Sequence, residues 1–472
     1  MNNKVNSRII TCLFWLAVWQ GAAHLTASKL LLPGPLDAVV ALGGLVKTGK
    51  FYMDIGLTTA RCVIAMVLSF AAGIPAGALS HRHGAVRSVL SLPVGFFKAV
   101  PVMAIIIYVI LLAQSEWVAV IVCFFMCFPI VYTNILEGLD AVSEEYLEAG
   151  KIYGLSPYEA ARHIYVPSIL PQIKASVSLT AGLSWKAVVA AEVLSIPKYS
   201  LGYEMMNAKY YLETAELFAY IIVIVVLSMT FERMINLGLK KIEWRGYEGS
   251  RLGCSSKRVQ PAKGDAAPDL RVCNITKSFE GKTVLDDVSM AFEEGKVTAV
   301  MGPSGQGKTT MARIIAGLET ADSGCILIDG LKTGDGSGAG RTAFLFQEDR
   351  LMPWLNVYDN IALGCRDGNR IKELAEQLEI EGELWKLPDE LSGGQCHRAA
   401  LARTFAADAP LLILDEPFRG LDTALKDRII DRLWNRQTSG KTVILITHNA
   451  EDAERLADEV QKISSPKSDS DI

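Results

Sequence analysis

No cysteine pattern in this 472-residue sequence points to a disulfide framework or a zinc site. The nine cysteines form no C-x-x-C pair and have no metal-like spacing to histidine, so we interpret them as free thiols. His81 and His83 form an H-x-H pair, but no third ligand is close in sequence, which disfavours a metal site there.

Neither sign of charge is in large excess, because the formal net charge is only −4. A chain without a strong basic field has little means of attracting nucleic acid, so we expect no nucleic-acid partner. We find no internal repeat of short period, which argues against solenoid and propeller architectures.

Hydropathy changes sharply along the chain. Long apolar runs dominate from about Ile9 to Leu239, whereas charged residues alternate with short apolar stretches after Lys240. The mean hydropathy of +0.26 averages over these two halves. One half suits a lipid bilayer and the other suits water, so we expect a membrane domain joined to a soluble domain.

Six stretches of the first half have the length of a membrane span, about 17–25 residues. They lie around 9–26, 62–80, 96–113, 117–136, 173–195 and 215–239. With six spans, the basic N-terminus, the basic loop 81–87 and the basic segment after Lys240 fall on one side, which is the cytoplasmic side of a cell (inner) membrane. A cleaved signal peptide is the alternative for the first stretch, but no A-x-A-like site follows it.

Composition sets the domain boundaries. We predict a transmembrane domain over 1–246, with a long amphipathic cytoplasmic loop over 137–172. Gly, Ser, Lys, Pro and Ala mark a linker over 247–268. Strand-like and helical stretches then alternate over 269–463, as in an α/β nucleotide-binding domain, and 464–472 is a polar tail.

A phosphate-binding loop follows a short apolar run in the second half. Residues 302–309 read G-P-S-G-Q-G-K-T, which matches G-x-x-x-x-G-K-[ST]. The glycines let backbone N–H groups point at phosphate oxygens, while Lys308 reaches the β- and γ-phosphates and the Thr309 hydroxyl binds Mg²⁺. The predicted ATP-binding residues here are Gly302, Pro303, Ser304, Gly305, Gln306, Gly307, Lys308, Thr309 and Thr310.

Two carboxylates end another apolar run. Residues 411–416 read L-L-I-L-D-E. Asp415 suits a magnesium ligand, and Glu416 is placed to polarise the attacking water. Behind a phosphate-binding loop, this pair predicts nucleotide hydrolysis rather than an ordinary strand end.

The pentapeptide L-S-G-G-Q at 391–395 lies between these two motifs and resembles the signature of ATP-binding-cassette (ABC) ATPases. Other matches follow in the order of that family. Gln347 resembles the loop glutamine that contacts magnesium, His448 resembles the switch histidine on the γ-phosphate, and Phe279 resembles the aromatic residue that stacks on adenine. The resemblance covers essentially all of 269–463.

The resemblance implies that two copies are needed. In that family the signature contacts the ATP held by the other subunit, and here it consists of Ser392, Gly393, Gly394 and Gln395. Asp422 matches the aspartate of the loop at the dimer interface. We therefore expect a homodimer that binds ATP and Mg²⁺.

Two stretches depart from the family pattern. Cys396 and His397 follow the signature where glutamine and arginine are more usual, and residues 418–420 read F-R-G where serine and alanine commonly precede leucine and aspartate. These changes concern the dimer interface rather than ATP binding. We interpret His397 as part of a solvated helix face rather than as a catalytic residue.

The cytoplasmic loop carries a second resemblance. Residues 148–150 read E-A-G, Gly154 follows, and 164–167 read I-Y-V-P. This spacing resembles the E-A-A…G…I-x-L-P segment of ABC importer permeases, which docks on the ATPase. The resemblance gives Glu148, Ala149 and Gly154 a coupling role. It also identifies the fold class as a type I importer permease of about six spans fused to an α/β P-loop ATP-binding-cassette domain.

Further motifs resemble one importer group. Residues 32–35 (LPGP) and 58–61 (TTAR) are similar to permeases of the nitrate/sulfonate/taurine group, and 351–355 (LMPWL) to their ATPases. That group also imports thiamine-precursor pyrimidines, so the solute stays open between a small anion and a heterocycle. Lys186 lies within an apolar stretch, where it attracts an anionic solute, pairs with a carboxylate or sits at an interface.

The sequence is therefore identified as an ATP-driven importer subunit, in contact with lipid and with its ATPase half in the cytoplasm. The resemblance implies a separate extracytoplasmic substrate-binding protein that delivers the solute. A half-size exporter is one alternative, but such exporters are expected to lack an E-A-A segment, which residues 148–167 of this chain resemble. A cassette ATPase without a transport function is the other, and the apolar spans argue against it.

Overall fold

The computed structural model describes residues 2–26, 31–241, 267–332, 342–365 and 367–463. Nearly all of the predicted linker 247–268 and the whole predicted tail 464–472 lie outside the described residues. The chain divides into two compact units. We call Met1–Val142 with Ser168–Glu243 the helical unit, and Ser143–Pro167 with Trp244–Ile472 the α/β unit.

Helices account for most of the described chain before residue 242. They are α1 (Asn2–Leu25), α2 (Pro35–Leu45), α3 (Gly49–Arg82), α4 (Gly84–Ala99), α5 (Val102–Leu112), α6 (Ser115–Asp140), α7 (Glu144–Ile152), α8 (Pro157–Ala160), a π-helical turn (Ala161–Tyr165), α9 (Val166–Ser195), α10 (Leu201–Tyr210) and α11 (Thr214–Lys241). Segment 143–167, with α7 and α8, belongs to the α/β unit. The predicted cytoplasmic loop 137–172 is thus divided between the two units.

Four helical stretches of the described chain are long and apolar enough to cross a membrane. They are Gly49–Arg82, Ser115–Asp140, Pro157–Ser195 and Thr214–Lys241. A fifth span results if α4 and α5, which meet at an angle of 108°, are taken together. These five match five of the six predicted spans. The sixth, around 9–26, lies in α1, which is not among them, so the count of six is not reproduced.

Pro101 explains the bend inside the predicted span 96–113. Proline has no N–H for the helical ladder and disfavours the helical conformation of the residue before it. Val100 accordingly has ψ of 132°, and α5 starts again at Val102. Hydropathy alone predicts a continuous span there and does not reveal the break.

Two glycines allow α3 and α6 to approach closely. A Cβ atom added at Gly73 would lie 2.7 Å from Cγ1 of Val131, and one at Gly77 would lie 2.8 Å from Cγ2 of Ile135. Small residues at a helix interface permit this backbone approach in membrane domains. The α3–α6 pair thereby forms a tightly packed element of the helical unit.

The α/β unit continues with strands and short helices after residue 266. In chain order they are β1 (Leu270–Phe279), β2 (Lys282–Phe292), β3 (Val297–Met301), α12 (Lys308–Ile315), β4 (Ser323–Ile328), β5 (Leu331–Lys332), β6 (Thr342–Leu345), α13 (Val357–Ala362), α14 (Gly368–Gln377), α15 (Gly393–Ala406), β7 (Leu411–Asp415), α16 (Thr423–Ile429), α17 (Asn435–Thr438), β8 (Thr442–Ile446), α18 (Ala450–Leu456) and β9 (Glu459–Lys462). Single turns of 3-10 helix lie at Glu381–Glu383 and Pro388–Glu390, and a π turn at Ile430–Trp434.

These strands form two sheets. The first is antiparallel, with the order β2-β1-β4-β5, and the second is parallel, with the order β6-β7-β8-β3-β9. Every residue of β7 and β8 is buried, as expected for central strands covered on both faces. Because β7, β8 and β3 are neighbours, the loops that follow them meet at one edge of the sheet, where ligands bind in open α/β folds.

Candidate functional site

The predicted phosphate-binding loop lies between β3 and α12. Gly305 and Gly307 have φ of 84° and 81°, which is left-handed backbone that glycine adopts without strain. A Cβ atom at Gly307 would also lie 3.0 Å from the carbonyl oxygen of Val284. Nζ of Lys308 donates to the carbonyl oxygens of Gly302 and Pro303, at 2.7 and 2.8 Å. The lysine thus reaches back over the curled loop, where it can meet a phosphate.

Two of the three predicted magnesium ligands, Thr309 at the start of α12 and Asp415 at the end of β7, contact each other. Oγ1 of Thr309 donates to Oδ2 of Asp415 at 2.7 Å. Asp415 is buried, and burial raises its pKa to about 6 although the hydrogen bond from Thr309 acts in the opposite direction. A hydroxyl and a carboxylate are the oxygen ligands that Mg²⁺ prefers, so this pair fits the ion.

Glu416 and His448 are also brought together. Nδ1 of His448 lies 3.0 Å from Oε1 of Glu416, while the His448 side chain is 70% exposed. Glu416 has a positive φ of 52°, and its N–H donates to the carbonyl oxygen of Ile446 at the end of β8. The carboxylate is therefore fixed beside Asp415 and faces the open edge of the sheet.

The remaining predicted nucleotide contacts are accessible. Phe279 ends β1 with 43% of its side chain exposed, and Nζ of Lys277 lies 5.0 Å from the centre of its ring. Gln347 is exposed two residues after β6, and Thr310 lies in the first turn of α12. An exposed aromatic face and an exposed amide suit the adenine and magnesium contacts that the resemblance implies.

The signature forms the start of a helix. Oγ of Ser392 accepts from the N–H of Gln395 at 3.4 Å, and Oε1 of Gln395 accepts from the N–H of Ser392 at 2.8 Å. This capping box starts α15 and leaves Ser392 and Gly393 exposed. Gly394 is partly buried beside them, and Asp422 caps α16 by accepting from the N–H of Leu425 at 2.9 Å.

The coupling segment folds as a short, capped helix followed by a turn. The Ser143 side chain caps the start of α7. At its end Gly154 has φ of 66°, and the N–H of Leu155 donates to the carbonyl oxygen of Gly150 at 2.9 Å. This is the Schellman arrangement, which favours glycine. The glycine predicted at 154 is thus required by the end of the helix.

Glu148 is held by two arginines of the nucleotide-binding part. Nη1 and Nη2 of Arg313 donate to its carboxylate at 2.9 and 2.5 Å, and Nη1 of Arg350 donates at 2.5 Å. Burial pushes the pKa of Glu148 upward, but the hydrogen bonds from Arg313 and Arg350 outweigh it and hold that pKa below its ordinary value. Arg313 belongs to α12, the helix that the phosphate-binding loop starts.

Aromatic contacts hold both ends of the same segment. Nε1 of Trp354 donates to the carbonyl oxygen of His163 at 2.8 Å, and its ring meets that of Tyr146 edge-on at 5.3 Å. Nε of Arg403 donates to the hydroxyl of Tyr153 at 3.1 Å. Ala149 is fully buried. Trp354, noted in the sequence only as part of a family motif, thus contacts the segment directly.

His397 corrects one sequence-based interpretation. It is only 4% exposed, so it does not lie on a solvated helix face. Its Nδ1 lies 2.7 Å from Oδ1 of Asp349, and its Nε2 lies 2.9 Å from the carbonyl oxygen of Pro417. Periodicity cannot reveal this burial, because both partners come from distant parts of the chain.

Lys186 lies exposed on α9 of the helical unit, next to the buried Trp185. Glu192 is not its partner, in agreement with the six-residue spacing. The carboxylate of Glu192 instead accepts from Nη1 of Arg61 at 2.8 Å and from Oγ1 of Thr58 at 3.0 Å. Sequence reasoning missed this network, although Thr58 and Arg61 belong to the T-T-A-R motif.

Cysteine and histidine side chains give no metal site in the described part of the chain. Cys123 and Cys127 are buried in α6 with their sulfurs 3.9 Å apart. His81 is paired with Asp140 through Nδ1 at 2.8 Å.

Two family descriptions match the chain. "Binding-protein-dependent transport system inner membrane component" matches residues 42–242, and "ABC transporter" matches residues 285–419. His448 and Phe279 lie outside the second match.

Similar proteins match the second half. An aliphatic sulfonates import ATP-binding protein of Rhodococcus jostii is 40% identical over 195 residues, covering 40% of this chain and 77% of the relative. A taurine import ATP-binding protein of Escherichia coli O157:H7 is 39% identical, and the match covers 41% of this chain and 79% of the relative. For a sulfate/thiosulfate import ATP-binding protein of Ralstonia nicotianae, also 39% identical, the chain covers only 55% of the relative's length.

Among solved structures, a dimeric ATP-binding cassette in a post-hydrolysis state, bound to ADP and phosphate, is 30% identical. The match covers 41% of this chain and 94% of that one, with a TM-score of 0.39.

Proposed function

This chain belongs to the ABC transporter family, and from that premise we propose that it uses ATP hydrolysis to import a small solute. It is a multi-pass membrane protein whose cassette ATPase half lies in the cytoplasm. The permease and the ATPase share one polypeptide, so each copy contributes one of each to the transporter.

The proposal rests on the ion pairs that Glu148 forms with two arginines. A loop between membrane-spanning helices places this carboxylate between Arg313, on the helix after the phosphate-binding loop, and Arg350, three residues after Gln347. Ion pairs held at 2.5–2.9 Å from two directions suit the transmission of movement rather than mere tethering. A cassette ATPase without a membrane domain provides no reason for such a segment, and a half-size exporter would lack its E-A-A-like pattern.

Hydrolysis is assigned to the strand-end residues. Lys308 and the loop amides bind the phosphates, Phe279 receives the adenine, and Glu416 accepts the proton of the attacking water, with His448 beside it at 3.0 Å. Thr309, Asp415 and Gln347 would hold Mg²⁺, which supplies charge neutralisation at the phosphates.

The signature supports a homodimer as the working unit. Ser392 and Gly393 are exposed, so the O–H of Ser392 and the N–H of Gly393 at the start of α15 can meet a nucleotide bound to a second copy. The imported solute reaches the dimer from a separate extracytoplasmic binding protein.

For the solute, the relatives favour sulfonate-like anions, because two of them are described as importing aliphatic sulfonates and taurine. A pyrimidine-like heterocycle is the second candidate, suggested by the wider group that the motifs resemble. Thermal-shift screening of the cognate binding protein against sulfonates, nitrate and pyrimidines separates the two.

Solute uptake into proteoliposomes tests the proposal. The transporter is oriented right side out, with ATP enclosed and the binding protein outside. We expect Glu416→Gln to bind ATP but to lose hydrolysis and uptake by about 10²–10⁴-fold. Glu451→Gln, a matched change of an exposed carboxylate on α18, should behave as wild type. Hydrolysis by Glu416→Gln at a near-normal rate would contradict the assignment.

A further inference from the structure

Two cysteines lie opposite each other in the antiparallel sheet of the α/β unit. Cys273 on β1 pairs directly with Cys325 on β4, next to the pair of Val272 with Ile326. Directly opposed residues of antiparallel strands have their side chains on the same face of the sheet, and their Cα atoms lie about 4.5–5.5 Å apart. A disulfide joins Cα atoms that lie about 4.4–6.8 Å apart, so the two cysteines are within bridging range.

The neighbouring residues fix this register. Val272 and Ile326 are buried on the other face of the sheet, so a slip of one residue would expose both of them. Gly324 has φ of 91° and lets β4 approach β1 closely, because a Cβ atom added there would lie 2.6 Å from the carbonyl oxygen of Cys273. The two thiols therefore stay opposite each other while the sheet is folded.

Both thiols are accessible to small solutes. Cys273 and Cys325 are free cysteines and are half-buried, so part of each residue is in contact with water. Cys123 and Cys127 also lie near each other, but they are fully buried in α6 of the helical unit, where a water-borne reagent does not reach them. The pair in the sheet thus combines a second thiol within range with access from water.

We propose that Cys273 and Cys325 are a modification site, at which a peroxide in the cytoplasm forms a reversible disulfide between β1 and β4. The bond closes a loop over residues 274–324, which contain the phosphate-binding loop and α12. Oxidation thereby fixes the part of the chain that carries the predicted phosphate contacts. The proposal is independent of the solute and of the direction of transport.

The chemistry has two steps. The thiolate of one cysteine attacks an oxygen of the peroxide, so that an S–O bond forms, the O–O bond breaks and the leaving hydroxide takes up a proton to give water. The thiolate of the other cysteine then attacks the sulfenic sulfur, so that the S–S bond forms and a second hydroxide leaves as water. Two thiols and hydrogen peroxide give one disulfide and two waters, and a dithiol reductant returns the two electrons.

The sheet geometry makes the bond easy to reverse. Cβ atoms of directly opposed residues lie about 4.5–5.5 Å apart, whereas a relaxed disulfide needs about 3.5–4.5 Å. The strands must move together to form the bond, and a disulfide under such strain is more readily reduced. This behaviour suits the cytoplasm, where thiols are kept reduced and the disulfides that form are usually transient.

Peptide mapping tests the proposal on the wild-type full-length chain in detergent. The protein is treated with hydrogen peroxide, its remaining thiols are alkylated, and it is digested without reductant for mass spectrometry. We expect the peptides that contain Cys273 and Cys325 to be joined, with a loss of two hydrogens, and to separate after dithiothreitol. Cys365 and Cys396, half-buried thiols of the same unit, serve as internal controls and should be alkylated instead.

Thermal unfolding supplies a second measurement. Closing a loop of about 50 residues restrains the unfolded chain, so oxidised wild type should have a Tm about 4–8 °C above that of the reduced protein. Cys325→Ser should show no such rise, whereas Cys365→Ser should behave as wild type. The peptide map needs no variant, so it decides the question even if Cys325→Ser does not fold.

Three results would overturn the proposal. The first is oxidation of either cysteine to sulfinic acid without a joined peptide. The second is a yield of bridges to Cys365 or Cys396 that equals the yield of the bridge between Cys273 and Cys325. The third is an equal Tm for the oxidised and the reduced protein.

Discussion

Arg61 and Glu192 form a buried ion pair in the helical unit, with Nη1 of Arg61 donating to Oε1 of Glu192 at 2.8 Å. The Glu192 side chain is fully buried and that of Arg61 is 8% exposed. The same carboxylate accepts from the N–H of Gly202 at 3.2 Å and from Thr58, so it joins α3, α9 and the start of α10.

Removing the charge of Glu192 should therefore destabilise the helical unit. Glu192→Gln removes the buried one of the two carboxylates that pair with Arg61, and breaking a buried ion pair costs about 3–5 kcal/mol. Thermal unfolding of wild type and variant in the same detergent measures this loss of stability. Glu116→Gln is the matched control, because Glu116 also binds Arg61 but is 50% exposed. Equal shifts in Tm for the two variants would refute the special role of Glu192.

Glu148→Gln should separate hydrolysis from transport. The amide cannot form the ion pairs with Arg313 and Arg350, each hydrogen bond to a charged group contributing about 1.5–3 kcal/mol. We expect uptake per ATP hydrolysed to fall about tenfold or more while ATP is still hydrolysed. The exposed Glu144, on the first turn of α7, supplies the control Glu144→Gln. A normal ratio of uptake to hydrolysis in Glu148→Gln counts against the coupling role.

Gly150→Ala should disrupt the coupling segment by crowding alone. The added methyl would lie 2.8 Å from Cδ1 of Ile164, a fully buried side chain. Overpacking of this kind costs about 1–3 kcal/mol. Gly150→Ala combined with Ile164→Val makes room and should recover part of the lost uptake. No recovery in the double variant would show that the defect has another cause.

Asp359 should make the stability of the α/β unit pH-dependent. It is 5% exposed, and within the described residues its Oδ2 has no hydrogen-bond partner. Burial raises its pKa to about 6, from an ordinary value near 3.8. The fold therefore favours the protonated acid, and its ionisation removes stability as pH rises between these two values.

Asp359→Asn avoids that cost and should raise the stability at neutral pH by about 1–3 kcal/mol, with little effect near pH 4. Thermal scans at several pH values measure the difference. Asp286→Asn, on the exposed face of β2, should give no pH-dependent difference. A stabilisation by Asp359→Asn that is equal at all pH values would contradict the argument.

Lys186 tests the choice of solute. If its exposed ammonium attracts an anion in the pathway, Lys186→Ala should raise the half-saturation concentration for an anionic solute by about tenfold, equivalent to 1.4 kcal/mol. Lys174, also on α9, offers Lys174→Ala as a control on the same helix. Unchanged uptake affinity in Lys186→Ala would show that Lys186 does not attract the solute.

Local motifs were predictable from the sequence because their chemistry lies within a few residues. The loop ending in Lys308 and Thr309, and the carboxylates at Asp415 and Glu416, lie where strand-then-turn patterns place them, and the adjacency of β3, β7 and β8 brings them together. The E-A-G stretch could be located for the same reason.

Long-range pairing could not be predicted. The partners of Glu148 are 165 and 202 residues away, and the ion pair of Arg61 with Glu192 spans 131 residues. His397 has the spacing of an exposed helix position, and only the fold shows that Asp349 and Pro417 enclose it. The break at Pro101 was likewise hidden, because hydropathy does not distinguish a straight helix from a bent one.

Membership of segment 143–167 in the α/β unit has a consequence for biosynthesis. Domains form from the N-terminus as the chain leaves the ribosome. This segment emerges before Arg313, Arg350 and Trp354 have been translated, so its buried positions, Ala149 among them, have no docking surface at first. Because both parts belong to one polypeptide, the docking surface then appears at an effective concentration in the millimolar range. Each segment also has one docking surface of its own.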